Sequence, residues 1–391
     1  MKKKSIAMIA YTNYTTDSRV IRAAEAAVSS GYNVDFISLR RQNDTNKEII
    51  NGVNVIRLKQ FRYRGSSSIK YIKSYLEFCI RCLIKITILF FKKKYLIIHV
   101  NNMPNFIVFS TIVPKLLGSK VILDIHDSMP DIFCSKFKNK FLYDILVFEE
   151  KISHCFSDLT ITVHEPIKQD ILKEHGLDLK KIEIIKNIAD DKLFTLSNKN
   201  YTDNFINAVF HGTIAERFGF ENLLKGVKAV KKKFNNFKIT IIGEGDYEEI
   251  LKKLISMYSL QDTVIFDNHF YPTAELPEVL SFYNLGVVSY EKSPATDYNL
   301  PAKLFEYILL GLPVLTVNNS AIEYYFSEED FIYYDSSDLN SFINVLSNLC
   351  EKPERLKDYR NRILKIRDRF LWSSEKEKYI EIVKNLLEVT I

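Results

Sequence analysis

Residues 299–315 read NLPAKLFEYILLGLPVL. Pro301 presets φ for a first helical turn, where its missing N–H costs nothing. Gly311 suits the left-handed residue that ends a helix, and Pro313 forbids its continuation. The apolar run Val314–Val317 follows at once and predicts a buried strand. A short helix delivered straight into such a strand is one half of an α/β repeat, and the same alternation runs outward from it in both directions.

Toward the N-terminus, short apolar runs recur at Ile6–Ala10, Val34–Ser38, Leu96–Val100, Val121–Ile125, Leu159–Val163 and Ile182–Ile185, most of them separated by helical patterns. The polar stretch SNKNYTDN, Ser197–Asn204, then breaks the rhythm and reads as a linker. The alternation restarts at Ala208–His211, Ile239–Ile242, Val264–Phe266 and Leu285–Ser289, reaches Val314–Val317, and is closed by helices from Leu339 onward. The predicted class is α/β, with two doubly wound parallel-sheet domains. The expected boundaries are 1–196, 205–372 and a last helix over 373–391. Ligands of such sheets bind beyond the carboxyl ends of the strands, so the facing edges are expected to form one cleft.

Composition agrees with this division. A chain of 391 residues exceeds one ordinary core, and 47% hydrophobic with 26% charged residues is usual for a globular protein. A net charge of +6 does not by itself imply a nucleic-acid partner. The five cysteines, Cys79, Cys82, Cys134, Cys155 and Cys350, are odd in number and scattered, which predicts reduced thiols and a cytoplasmic protein. Cys79 and Cys82 lack a second pair and read as helix residues. The start, MKKKSIAMIAYTNY, imitates a signal peptide, but its apolar run is too short and it reads as a first strand. No stretch reaches the roughly 18 apolar residues of a membrane span.

Chemistry is expected just after strands. There lie HGTIAERFG (His211–Gly219), GEGDYEE (Gly243–Glu249) and the opening motif. Gly243 and Gly245 lack the third glycine of a dinucleotide fingerprint, and read as a tight turn that still allows a ligand close to backbone. In the opening motif, Leu300 and Pro301 leave the N–H groups of Ala302 and Lys303 unpaired at a positive helix terminus, which suits a phosphate. Lys303 adds a point charge, and Glu306 on the same face can accept ribose hydroxyls. Phosphate donors beside a diol acceptor describe a nucleotide; the competing reading is an exposed Lys–Glu pair.

NLPAKLFEYILLGLPVL resembles the nucleotide-sugar segment of glycosyltransferase family 4, retaining enzymes of the GT-B fold. TTDSRVIRAAEAAVSSGYNVDFISL, VILDIHDSMPDIF, VFHGTIAERFGFENLLKGV and WSSEKEKYIEIVKNLL resemble the family's first helix and second strand, its mid-domain strand with a histidine, its first C-terminal βα unit and its last helix. The resemblance covers the whole chain. It implies a last helix that crosses back onto the N-terminal domain. Glu306 matches the second acid of the family's Glu, seven residues, Glu pattern, which binds ribose; Tyr298 stands where the first belongs. The family's phosphate-binding Arg and Lys fall near Thr213 and Phe218, which leaves Arg217 and Lys303 as the phosphate ligands, with Gly212 beside them. Thr15, Thr16 and Asp17 replace the usual glycine pair on the acceptor side. His126 matches the histidine that contacts the donor sugar, with Asp127 and Asp131 as further acceptor-side candidates.

The remaining histidines show no metal-ligand spacing and no Asp-x-Asp pair occurs. The sequence therefore requires no bound metal, and no cofactor is expected besides the sugar nucleotide as donor substrate. A UDP- or GDP-sugar is the expected donor, and a diphosphate oxygen takes the acceptor's proton in a front-face substitution. Residues 61–94 hold nine basic residues, Arg64 among them, against one acid, Glu77, with interleaved aromatics. That pattern suggests an anionic membrane surface; no recognition module for nucleic acid accompanies it. A core helix with a solvated face is the plain alternative. Two functions stand at this point. One is a retaining transferase at the inner face of the plasma membrane, acting on a glycan or polyprenyl-linked acceptor of bacterial surface polysaccharide. The other is a non-catalytic scaffold that binds nucleotide or membrane.

Overall fold

The computed structural model describes residues 4–42, 44–63, 67–137, 139–196 and 204–388. Arg64 and most of the linker, 197–203, lie outside them. The chain forms two compact units, one of Met1–Lys186 with Ser374–Ile391 and one of Asn187–Ser373.

The first unit is built on β1 (Ser5–Ala10), β2 (Asn33–Ser38), β3 (Lys47–Ile50), β4 (Val53–Arg57), β5 (Ile97–Asn101), β6 (Lys120–Ile125), β7 (Leu159–Thr162) and β8 (Ile182–Ile184). They form one sheet in the order β3-β4-β2-β1-β5-β6-β7-β8, parallel except for β3. Every residue of β1 is buried, as in strands covered on both faces. Expected strands fall on β1, β2 and β5 to β8. The β3–β4 hairpin was not anticipated, although Asn51-Gly52, both at positive φ, is a hairpin-turn signal. Its edge strand, KEII, is exposed and charged, so it lacks the apolar run that marked the others.

The second unit contains β9 (Ile206–His211), β10 (Phe237–Ile242), β11 (Val264–Asp267), β12 (Leu285–Val288), β13 (Val314–Val317) and β14 (Ile332–Tyr334). Their order is β11-β10-β9-β12-β13-β14, all parallel. Strand order reverses between β1 and β5 in the first sheet and between β9 and β12 in the second, which places a crevice at each of those carboxyl ends. The opening motif forms the helix Ala302–Leu310, with Pro301 at its N-cap and Gly311 at φ 70° beyond its end. A Cβ on Gly311 would stand 2.8 Å from the Leu196 side chain, so space and φ both require glycine.

The last helix, Trp372–Glu388, joins the first unit for most of its length. Glu375 accepts the Lys186 backbone N–H at 3.0 Å and its ammonium at 2.7 Å. Tyr379 is fully buried, its hydroxyl 2.9 Å from His99 Nδ1.

Candidate active site

In the second unit the sequence motifs converge at the ends of β9 and β10 and on the helix Ala302–Leu310. Gly243, at φ 139°, passes so close to the preceding turn that a Cβ would fall 1.8 Å from the Gly212 carbonyl. Gly245 is held likewise against Ile214. Those two turns are thereby pressed together, and Gly212 and Thr213 are left exposed.

Lys303 is not the exposed partner of a Lys–Glu pair. It is 9% exposed, and its ammonium has no hydrogen-bond partner. The Nζ lies 3.7 Å above the Phe210 ring and 4.4 Å from that of Phe218. A Cβ on Gly212 would come within 3.3 Å of it, so the charge sits directly behind the exposed Gly212 turn. Burial pulls the ammonium down to about 7; the nearby Arg217 adds to that and Glu306 opposes it. No side chain caps the helix N-terminus at Pro301–Ala302. A buried cation with no hydrogen-bonding acceptor, beside an uncapped helix N-terminus, is a site that can take further negative charge. Arg217 is exposed and its guanidinium stacks 5.0 Å from the Phe218 ring centre.

Glu306 is buried, with Oε2 hydrogen-bonded to His211 Nε2 at 2.5 Å. His211 Nδ1 meets the Tyr307 hydroxyl at 2.8 Å, and that hydroxyl also reaches the Val209 carbonyl at 3.1 Å. The carboxylate is thus fixed through one oxygen, which leaves Oε1 for a ligand's hydroxyls. His211 and Tyr307 were not singled out from sequence; the only signal was that His211 ends a strand immediately before Gly212. Tyr298 lines an open groove with Asp297, Ser320 and Tyr333.

In the first unit, His126 follows β6. Its Nε2 lies 3.2 Å from Asn101 Oδ1 and 3.3 Å from Asp124 Oδ2. Asn101 spends its NH₂ on the Ile9 carbonyl, so both groups facing Nε2 are acceptors and Nε2 carries the proton. Nδ1 is buried without a partner. Asp124, rather than the adjacent Asp127, is the carboxylate that pairs with this histidine. It also takes His99 Nε2 at 3.0 Å, which extends the array to Tyr379. Burial pushes the Asp124 carboxyl up, but His126 and His99 outweigh it and hold it well below the usual carboxylate range. Asn102 ties the loop down by accepting the His126 N–H and donating to the Asp127 carbonyl.

Asp17 caps the helix Ser18–Ser29 and pairs with Arg19 at 3.3 Å; Arg19 also stands 3.9 Å from Asp127. The geometry therefore joins Asp17 and Asp127 through an arginine that the sequence reading passed over. Thr15 is exposed, and the Thr16 hydroxyl donates to the Asn13 carbonyl. Asp131 does not join this group. It accepts from the Ser128 hydroxyl. Among the described residues, no cluster of three or more His, Cys, Asp or Glu side chains could hold a metal ion.

The family model described as Glycosyltransferase Family 4 matches residues 17–193, and that of Glycosyl transferases group 1 matches residues 194–365. The chain is 25% identical over 243 residues to chitobiosyldiphosphodolichol beta-mannosyltransferase of Debaryomyces hansenii, covering 52% of this chain and 48% of the relative. It spans about half the length of that curated relative, or less of others. Its structure is similar to sucrose-phosphate synthase of Thermosynechococcus elongatus, with a TM-score of 0.79 and 17% identity over 99% of this chain and 100% of that one. It is also similar to Anabaena HepE in complex with UDP and glucose, with a TM-score of 0.73 and 12% identity over 97% and 99% of the two chains. Two family models in tandem and two parallel sheets of these orders lead to one assignment: the chain belongs to glycosyltransferase family 4 and has the GT-B fold.

Proposed function

We propose that the protein is a retaining glycosyltransferase that takes a sugar from a UDP- or GDP-sugar and adds it to a glycan acceptor on a polyprenyl-type lipid. The observation that carries this reading is the buried, unpartnered ammonium of Lys303 behind Gly212. A hydrogen-bonding acceptor is what that ammonium lacks, and a sugar nucleotide's diphosphate supplies one with a matching charge. Lys303, Arg217 and the N–H groups of Ala302 and Lys303 would take the charge that develops as the anomeric carbon–oxygen bond breaks. The acceptor oxygen attacks from the same face, and its proton passes to the departing diphosphate. Glu306 Oε1 would receive ribose hydroxyls, and His126 Nδ1 a hydroxyl of the donor sugar. The UDP bound by HepE supports the donor class.

The product class we propose is bacterial surface polysaccharide, made at the inner face of the plasma membrane. The basic segment 61–94 supports peripheral attachment there, and among the described residues no helix is long and apolar enough to span a membrane. Purified protein incubated with a panel of sugar nucleotides should release nucleoside diphosphate from one class, and EDTA should leave the rate nearly intact. Tyr298, in place of the family's first acid, favours a second reading as a nucleotide-binding scaffold. Tight nucleotide binding without release or transfer from any donor would establish that reading instead.

Lys303 makes the binding pH-dependent. Without ligand the folded chain gives up this proton near 7, whereas the unfolded chain keeps it to about 10.5. The group's contribution to stability therefore rises with pH across that window. A bound diphosphate demands the proton back, so affinity should fall above pH 7, by up to about tenfold per unit for one linked proton. Calorimetry in buffers of different ionisation enthalpy should register proton uptake at pH 8. A flat affinity from pH 6.5 to 9 would remove Lys303 from the phosphate site.

The tautomer of His126 gives a further expectation. His126→Ala should lower turnover about 10–10²-fold, as for loss of a hydrogen bond to a developing charge. Asp124→Asn should act in the same direction, because its NH₂ can turn to Nε2 and force the proton onto Nδ1. Nitrogen NMR of labelled histidine reads that exchange directly. An Asp124→Asn protein with full turnover and the flipped tautomer would return His126 to a structural role.

A further inference from the structure

The helix Lys140–Phe156 is inside out. Its fully buried residues are Glu150, Ser153 and His154. Glu150 meets His175 at 2.6 Å, and Ser153 donates to Glu149 at 2.9 Å. The outward stripe is Phe141, Ile145, Phe148 and Ile152, spaced four, three and four residues apart, with Phe141 74% and Phe148 64% exposed. A helix bathed in water has the reverse arrangement.

It does not stand alone. The helix Ser68–Lys93 buries Tyr75, Phe78, Cys82 and Ile86 on one side, yet exposes a second stripe from Ile69 through Leu76, Ile80, Ile84 and Ile88 to Phe91. Both helices pack against the same segment, Asn105–Thr111, and so belong to one layer of the first unit. The short helix that continues this segment, Ile112–Leu116, exposes Ile112 and Leu116 beside them. Single exposed apolar residues need no explanation, but aligned stripes on neighbouring helices do.

We infer that this layer is a two-helix platform seated on an anionic lipid surface, with the 140–156 stripe inserted alongside that of helix 68–93. Charge selects the occupant. Residues 61–94 carry nine basic side chains and one acid, and Glu77, the acid, is engaged by Arg81 at 2.7 Å. A second copy docked with its helix 68–93 on this one would oppose like charges, whereas anionic headgroups complement them. The inference deepens the membrane reading of segment 61–94 and rests on it.

Vesicle sedimentation separates the two. Lys93 is held by Asp35 at 2.6 Å and is best left in place, so the charge variant is Lys70→Gln with Lys73→Gln and Lys92→Gln. It should weaken binding to vesicles containing phosphatidylserine and flatten the salt dependence. Phe141→Ser with Phe148→Ser should weaken binding at least about tenfold and leave the salt dependence as it was, because only apolar insertion is lost. Both phenylalanines are exposed, so the fold should be unaffected, and an unchanged Tm verifies this. Phe148→Trp should in turn be quenched by brominated lipid. Wild-type affinity in the phenylalanine variant, or no quenching, overturns the platform while the charge variant still reports on segment 61–94. No vesicle binding by the wild type overturns both. A dimer in sedimentation velocity that Phe141→Ser abolishes would assign the face to a second copy.

Discussion

Lys303→Met is expected to raise the thermal stability of the ligand-free protein and to lower turnover about 10²–10³-fold, the range for losing a transition-state donor. The two effects share one cause. The Lys303 ammonium is buried against Phe210 and Phe218 without a hydrogen-bond acceptor. Its cation–π contacts return about 2 kcal/mol when desolvated, less than desolvation costs, and burial draws its pKa down accordingly. Methionine fills the same space without that penalty, so a gain of about 1–4 kcal/mol is expected, as when other buried charges give way to apolar volume. Arg217, exposed beside it, should show the catalytic loss without the stability gain: Arg217→Ala lowers turnover to a similar degree and leaves Tm unchanged. Calorimetric melting together with initial rates checks both. A destabilised Lys303→Met protein would mean that the lysine is satisfied in the folded state, and the anion-site reading would fall.

Glu306→Ala should weaken binding of a nucleoside diphosphate by about 1–3 kcal/mol, the range for hydrogen bonds to a charged group. This variant also strips His211 of its 2.5 Å partner, so some loss of stability is expected with it. Glu306→Gln keeps the shape and a hydrogen-bonding oxygen but loses the charge, and should fall between wild type and alanine in affinity. Isothermal titration of the folded variants is the measurement. Unchanged affinity in a folded Glu306→Ala protein would show that Oε1 does not receive the ribose.

Much of the architecture is legible in the residues alone. Continuous apolar runs such as Ile6–Ala10 and Val314–Val317 become buried parallel strands because both faces of such a sheet are covered. Pro301 and Gly311 bracket their helix because proline fixes its own φ and glycine tolerates the left-handed φ of 70° at the helix end, both properties of a single residue. The hairpin Lys47–Arg57 escaped because an exposed edge strand needs no apolar run.

Positions in the site were legible in the same way, as residues following strands, but their state was not. Whether Lys303 is a solvated surface charge or a buried ion depends on Phe210 and Phe218, which lie far from it in the sequence. The histidine at 126 was found by its place after β6. Its protonated nitrogen, however, is set by Asn101 at the end of the neighbouring strand, because parallel pairing aligns Asn101 with Asp124 across the sheet. Arg19 and Tyr379 were passed over for the same reason: nothing in their local sequence distinguishes them from surface or core residues. Sequence by itself determined where the buried strands, the helix after Pro301 and the glycine turns after β9 and β10 lie, since those follow from local dihedral preferences and apolar runs. Tertiary structure alone decided which charges are stripped of water and which nitrogen carries a proton. Desolvation and hydrogen-bond partnership are properties of what packs around a group, and here the packing comes from other strands and helices.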